Sequence, residues 1–182
     1  VGQDNANDNN QNLKYPKLDG RIAATYAVSS TATNKNSLYD SYIRAFRWAS
    51  DRIRDEGIVC FVTNGGWIDG NTMDGSRKTL SDEFSDIYVF NLRGNQRTSG
   101  ELSRKEGGKV FGSGSRTPVA ITLLIKRKNS DGRVRIHYHD IGDYLSREQK
   151  LEIVAAFGNY RHVPWEEIIP NDHHDWINQR SG

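Results

Sequence analysis

The chain has 182 residues, 35% of them hydrophobic and 10% aromatic, with a net charge of +2 from 25 basic and 23 acidic side chains. That length fits one domain, with or without an appendage. No apolar run approaches the roughly 18 residues of a bilayer span, which excludes a transmembrane helix. The lone cysteine, Cys60, excludes an internal disulfide scaffold and fits a reducing, cytoplasmic setting.

The only methionine is Met73, the chain opens on VGQDNANDNNQN and it stops at NQRSG. This pattern predicts a piece of a longer polypeptide. Residues 1–20, rich in Asn and Gln, read as a polar arm without periodicity. Residues 21–33 are Ala-rich and helical in character. Ser37 and Asp40 then form an S-x-x-D helix start, and Tyr39, Tyr42, Ile43, Phe46, Ala49 and Ile53 recur at helical spacing. Arg44, Arg47, Asp51 and Arg54 fall on the other faces, and Gly57 is the stop. GIVCFVT at 57–63 is a continuous apolar run of β-formers, which predicts a strand buried on both faces. A helix over 75–85 and a strand over 86–92 follow. Helix, buried strand, helix, strand is the order of a mostly parallel α/β sheet.

Residues 93–118 break that rhythm with six glycines and six basic residues: Arg93, Arg97, Arg104, Lys105, Lys109 and Arg116. Only Glu101 and Glu106 oppose them. A strand over 118–128, the turn Asn129-Ser130-Asp131-Gly132 and a strand over 133–141 predict an antiparallel hairpin. Residues 142–182 read as a helical extension, N-capped by Ser146 and stopped by Gly158, then a linker toward another domain.

For chemistry, the basic Gly-rich loop stands out. Cations on a segment with bare backbone suit phosphate contact, and a solvated mobile loop is the plainer alternative. GSGSRTP at 112–118 lacks the spacing of a phosphate-binding loop and precedes a strand rather than a helix. His137 and His139 share a strand face but are too few for a closed metal site, so no metal is expected. Cys60, mid-strand, reads as inert packing, and Asp140 and Asp143 read as turn residues. Trp67 at the carboxyl end of the first strand and Phe111 before the Gly-Ser run can present rings to a nucleobase, or can merely plug the sheet edge.

Four segments in this order resemble the second half of an adenine-N6 DNA methyltransferase domain: NSLYDSYIRAFRWASDRI, GIVCFVTNGGWIDG, SDIYVFNLRGNQRTSG and KVFGSGSRTPVAITLLIKRK. The similarity is to single-chain type ISP restriction–modification enzymes, which also carry a helicase-like part, and it continues through HYHDIGDYLSREQKLEIVAAFG and PWEEIIPNDHHDWINQR. The resemblance implies a partial Rossmann-like sheet, mostly parallel with an antiparallel hairpin and flanked by helices. It places the methyltransferase-like part at 21–141. It implies that the catalytic Asn/Asp-Pro-Pro-Tyr loop lies upstream of Val1 and the S-adenosylmethionine loop earlier still. No catalytic residue is then expected in this chain, and no cofactor is expected bound to it. Phe111 matches a position set against the flipped adenine, and Val119 to Lys126 match the antiparallel strand. The implied partners are double-stranded DNA and the remainder of the parent chain, with no membrane. The runner-up reading is a non-catalytic DNA-binding or coupling module of a helicase-containing protein. A small hydrolase or metal protein built on the histidines is the third.

Overall fold

The computed structural model describes residues 13–112 and 115–180. Helix α1, Pro16–Ile22, starts with proline in its first turn, where the missing N–H costs nothing. It runs on into a π-turn at Ala23–Ala27. The arm predicted for 1–20 is therefore helical from Pro16, and its first twelve residues lie outside the described ones. Helix α2 is Ser41–Ser50, entered through a 3-10 turn at Asn36–Tyr39. Strand β1 is Gly57–Asn64, helix α3 Asp74–Glu83 and strand β2 Asp86–Arg93. Helix α4, Gly100–Glu106, falls inside the stretch expected to be loop. Strands β3, Val119–Lys126, and β4, Arg135–Asp140, precede helix α5, Arg147–Phe157, and strand β5, Glu166–Ile168. No helix among the described residues is long and apolar enough to cross a membrane.

The five strands form one sheet in the order β1-β3-β2-β4-β5. β3 pairs antiparallel with both β1 and β2, β4 parallel with β2, and β5 antiparallel with β4. The expectation of a mostly parallel sheet is thus corrected: one pairing is parallel. β1, β2 and β4 do run in one direction, but β3 wedges between the first two and turns both of those contacts antiparallel. The predicted β3–β4 hairpin is also corrected. The chain reverses at the turn, yet β2 lies between the two strands.

Alternation along β3 explains its central place. Ala120 and Leu124 join a core built with Ile22, Tyr26, Ile43, Phe46 and Leu80 from the helical layer. Val119 and Ile121 point the other way, onto Ile153, Val154 and Phe157 of α5. A strand apolar on both faces needs cover on both, and the middle of the sheet supplies it. β1 differs from its reading. It is an edge strand, with Ile58 63% and Val62 53% exposed and Cys60 exposed rather than packed.

Buried charges hold the layers together. Arg47, expected on a solvent face of its helix, is buried and bonds Asp51 Oδ1 at 2.8 Å and Glu83 Oε1 at 2.9 Å. Arg77 is fully buried. Its guanidinium donates to the carbonyls of Trp67 (2.9 Å), Gly70 (2.9 Å) and His174 (2.7 Å). It thereby ties the turn after β1 to the C-terminal segment, whose Trp176 packs in the core against Trp67.

Candidate functional site

β1, β2 and β4 all end on one side of the sheet, and β3 begins there. Val119 stands opposite both Asn64 and Arg93. The described parts of the connection from β2 to β3, residues 94–112 and 115–118, therefore sit at the carboxyl ends of three co-directional strands. Ligands of open α/β sheets bind at that edge.

The connection is anchored rather than loose. Arg93, in the left-handed region at φ 57, opens it. Its guanidinium donates to Asp140 Oδ1 at 2.7 Å and also bonds Asp143. The Asp140 carboxyl feels burial, which pushes its pKa up. The Arg93 hydrogen bond and the Gly142 N–H outweigh that and hold it below the usual carboxylate range. The two aspartates read as turn residues are thus the ion-pair partners of Arg93, and in this arrangement its charge is committed to them.

A second clamp grips the far end of α4. Lys150, 1% exposed, donates from Nζ to the carbonyls of Glu106 at 2.7 Å and Gly108 at 2.8 Å. Gly108 N–H donates to the Leu145 carbonyl at 2.9 Å, and Tyr144 N–H to that of Lys105 at 3.2 Å. The Tyr144 hydroxyl bonds Glu101. Gly107 permits this approach: at φ +72, a Cβ there would stand 2.2 Å from the Leu145 carbonyl oxygen. α5 itself is fixed by a capping box in which Ser146 Oγ accepts from Gln149 N–H and Gln149 Oε1 accepts from Ser146 N–H.

Phe111 follows directly on this clamp. Val110 before it is buried, and its carbonyl accepts from Arg147 Nε at 2.9 Å. Phe111 is 55% exposed. Trp67 is not its companion. Its ring is 0% exposed, with ring centroids 5.3 Å from Phe46 and 5.2 Å from Trp176. The expected base contact at Trp67 is corrected: a ring closed in on all sides by core has no face to offer.

The basic residues are not equivalent. Arg97 is exposed, and its backbone N–H donates to Asn95 Oδ1 at 3.0 Å. Arg104 is exposed and pairs along α4 with Glu101 at 3.2 Å. Arg116 is exposed and donates to the Gln96 carbonyl at 2.9 Å. Lys105 and Lys109 are half-buried. Cations therefore flank Phe111 along the chain on both sides.

Elsewhere the site candidates thin out. His137 stacks on Tyr88 with centroids 4.2 Å apart and sits 3.3 Å from Asp86. Among the described residues no three metal-ligating side chains converge. An apolar cavity of about 200 Å³ lies between the sheet and α5, lined by Cys60, Tyr88, Phe90, Phe157, Tyr160 and Trp165 among others. It lacks the convergent polar groups that would orient a reacting ligand.

Sequence reasoning missed Lys150 and Arg147. One signal was available: Lys150, Ile153, Val154 and Phe157 share one helical stripe, so the lysine sits where an apolar residue belongs.

No protein-family model matches the chain, and no curated protein does. Solved structures do match. One is a nuclease-deletion mutant of the Type ISP restriction–modification enzyme LlaGI in complex with a DNA substrate mimic. It is 52% identical at a TM-score of 0.93, over 99% of this chain and 14% of that one. Another is the ATP-dependent Type ISP restriction–modification enzyme LlaBIII bound to DNA, 47% identical at a TM-score of 0.91, over 96% of this chain and 12% of that one. A third is the DrdV–DNA complex, 39% identical at a TM-score of 0.89, over 99% of this chain and 17% of that one. Over nearly its whole length the chain is thus similar in sequence and fold to one segment of Type ISP restriction–modification enzymes, and it spans 14%, 12% and 17% of the three chains named.

Proposed function

We propose that this chain is the sheet-completing, base- and DNA-contacting half of an adenine-N6 DNA methyltransferase domain in a Type ISP restriction–modification enzyme. The observation that carries this reading is the outer edge of the sheet. β1 is GIVCFVTN, with no charge and no proline, and its outer side is unpaired among the described residues. Natural edge strands carry charges, prolines or bulges that block further pairing. β1 has none of these, as a strand meant to be interior would not. A further strand supplied by the parent chain completes the sheet there.

The reacting loop of such a domain is not found in this chain's sequence. Its prolines, Pro16, Pro118, Pro164 and Pro170, are isolated, so no Asn/Asp-Pro-Pro-Tyr loop exists in it. The reacting loop and the S-adenosylmethionine site belong to the completing part, and this chain alone does not methylate. What it contributes is the ring of Phe111 at the strand ends. An adenine inside duplex DNA must leave the stack before its amino group can be reached, and stacking on an aromatic ring offsets part of that penalty. The solvent-facing cations Arg97, Arg104 and Arg116 hold the backbone of the distorted strand.

Amide hydrogen exchange tests the completion of the sheet. Alternate β1 amides, those pointing away from β3, should exchange rapidly in this chain and be strongly protected in the longer enzyme. Equal, rapid exchange in both would show that no strand is added at β1.

A further inference from the structure

Residues 126–135, KRKNSDGRVR, join β3 to β4 at the end of the sheet remote from Phe111. They carry five basic side chains, Lys126, Arg127, Lys128, Arg133 and Arg135, against one acid, Asp131. Lys126 is half-buried and the other four are exposed. The carboxylates facing them are few. Asp86 takes Arg127 Nε at 3.1 Å, and Asp131 stands 3.8 Å from Arg135. Glu56 lines a shallow groove together with Lys126, Arg127 and Lys128. Arg54 and Asp55, just before Glu56 in the chain, offset each other in charge. Lys126, Lys128 and Arg133 form no ion pair among the described residues.

We propose that this connection is a second contact for the phosphate backbone of duplex DNA, separate from the loop that carries Phe111. Three features favour that partner. Four of the five cations are exposed, on a turn whose Gly132 stands at φ +79 with nothing near the position of a Cβ. Most side chains of the groove are charged or polar, with Ile58 and Ile125 its two apolar ones. The distance suits a duplex: the eight residues of β3 separate the two basic ends by about 25 Å at roughly 3.3 Å per residue, some seven base-pair steps. Contacts of this kind position the duplex and carry no base sequence. The inference rests on DNA being the partner, as proposed above, and does not use Phe111.

The test is equilibrium binding of a duplex to this chain by fluorescence anisotropy, between about 50 and about 200 mM salt. The double variant Lys128→Ala with Arg133→Ala should reduce the log–log salt slope by about 1.8, or roughly 0.9 for each phosphate that is no longer neutralised. The charge reversals K128E and R133E together should reduce it further, and melting curves should match the parent because both side chains are exposed. An unchanged slope in both variants overturns the proposal, as does the absence of salt-dependent binding by the unsubstituted chain. Weaker binding to an acidic polypeptide with no change on DNA would overturn it in favour of a protein partner. The base-stacking reading is tested separately, by methylation in the longer enzyme after Phe111→Ala, so the two readings can fail independently.

Discussion

Arg147 Nε donates to the carbonyl of Val110 at 2.9 Å, one residue before Phe111. Three residues on, Lys150 binds the carbonyls of Glu106 and Gly108 from beneath. The first turn of α5 therefore fixes the backbone that presents the exposed ring. The base contact proposed for Phe111 needs such support, because a loop free to move would lose in entropy what stacking contributes.

Burial lowers the pKa of Lys150 from 10.5 to about 8, against the opposing pull of Glu106. Folding thus favours the neutral amine, which keeps enough N–H donors for two carbonyls. From about pH 8 to pH 10.5 the unfolded chain holds a proton the folded chain has released. The contribution of this group to stability rises across that window, is complete above 10.5 and is lost as pH falls through about 8. Urea denaturation of the parent and Lys150→Met should show the difference moving in favour of the parent as pH is raised. A constant difference would mean that Lys150 does not titrate as this burial requires.

Trp67 and Phe111 should separate cleanly by stability. Trp67→Ala empties a fully enclosed site in contact with Phe46 and Trp176 and should destabilise the chain by about 3–5 kcal/mol. Phe111→Ala removes an exposed ring and should stay within about 0.5 kcal/mol. Chemical denaturation checks both, and a small effect at Trp67 would contradict its place in the core.

Arg77→Met should cost about 3–5 kcal/mol, because it takes the donor from the Trp67 and His174 carbonyls, leaves that of Gly70 only the Met73 N–H, and strips Asp175 of one of its two cations. Arg180 still holds Asp175 at 2.9 Å, so the C-terminal segment should loosen from the turn at 65–70 without losing its own local structure. Exchange of the amides around Trp67 and His174 should rise together. Independent behaviour of the two segments would show that Arg77 does not link them.

The local elements were largely legible in the residues. The helical stripe Ile43–Phe46–Ala49, the N-cap at Ser146 and the apolar run of β3 all appear where periodicity and caps put them. Partner choice was not legible. The turn at 129–132 announces a chain reversal, but β3 is taken up between β1 and β2, where Ala120 and Val119 are covered on opposite faces. Buried charges were invisible for a related reason. Arg47, Arg77 and Lys150 look like solvated residues until the acceptors that surround them, drawn from distant segments, are in place. Trp67 and Phe111 looked alike as rings near a strand end, and only the return of Trp176 over Trp67 tells them apart.

Phe111→Ala in the longer enzyme tests the central claim most directly, with methyl transfer and DNA affinity measured side by side. If the ring stacks on an extruded adenine, methylation should fall by roughly 5- to 150-fold, the equivalent of about 1–3 kcal/mol of stacking, while DNA affinity changes little. Methylation that proceeds at the parental rate would contradict the assignment of this loop to the target base.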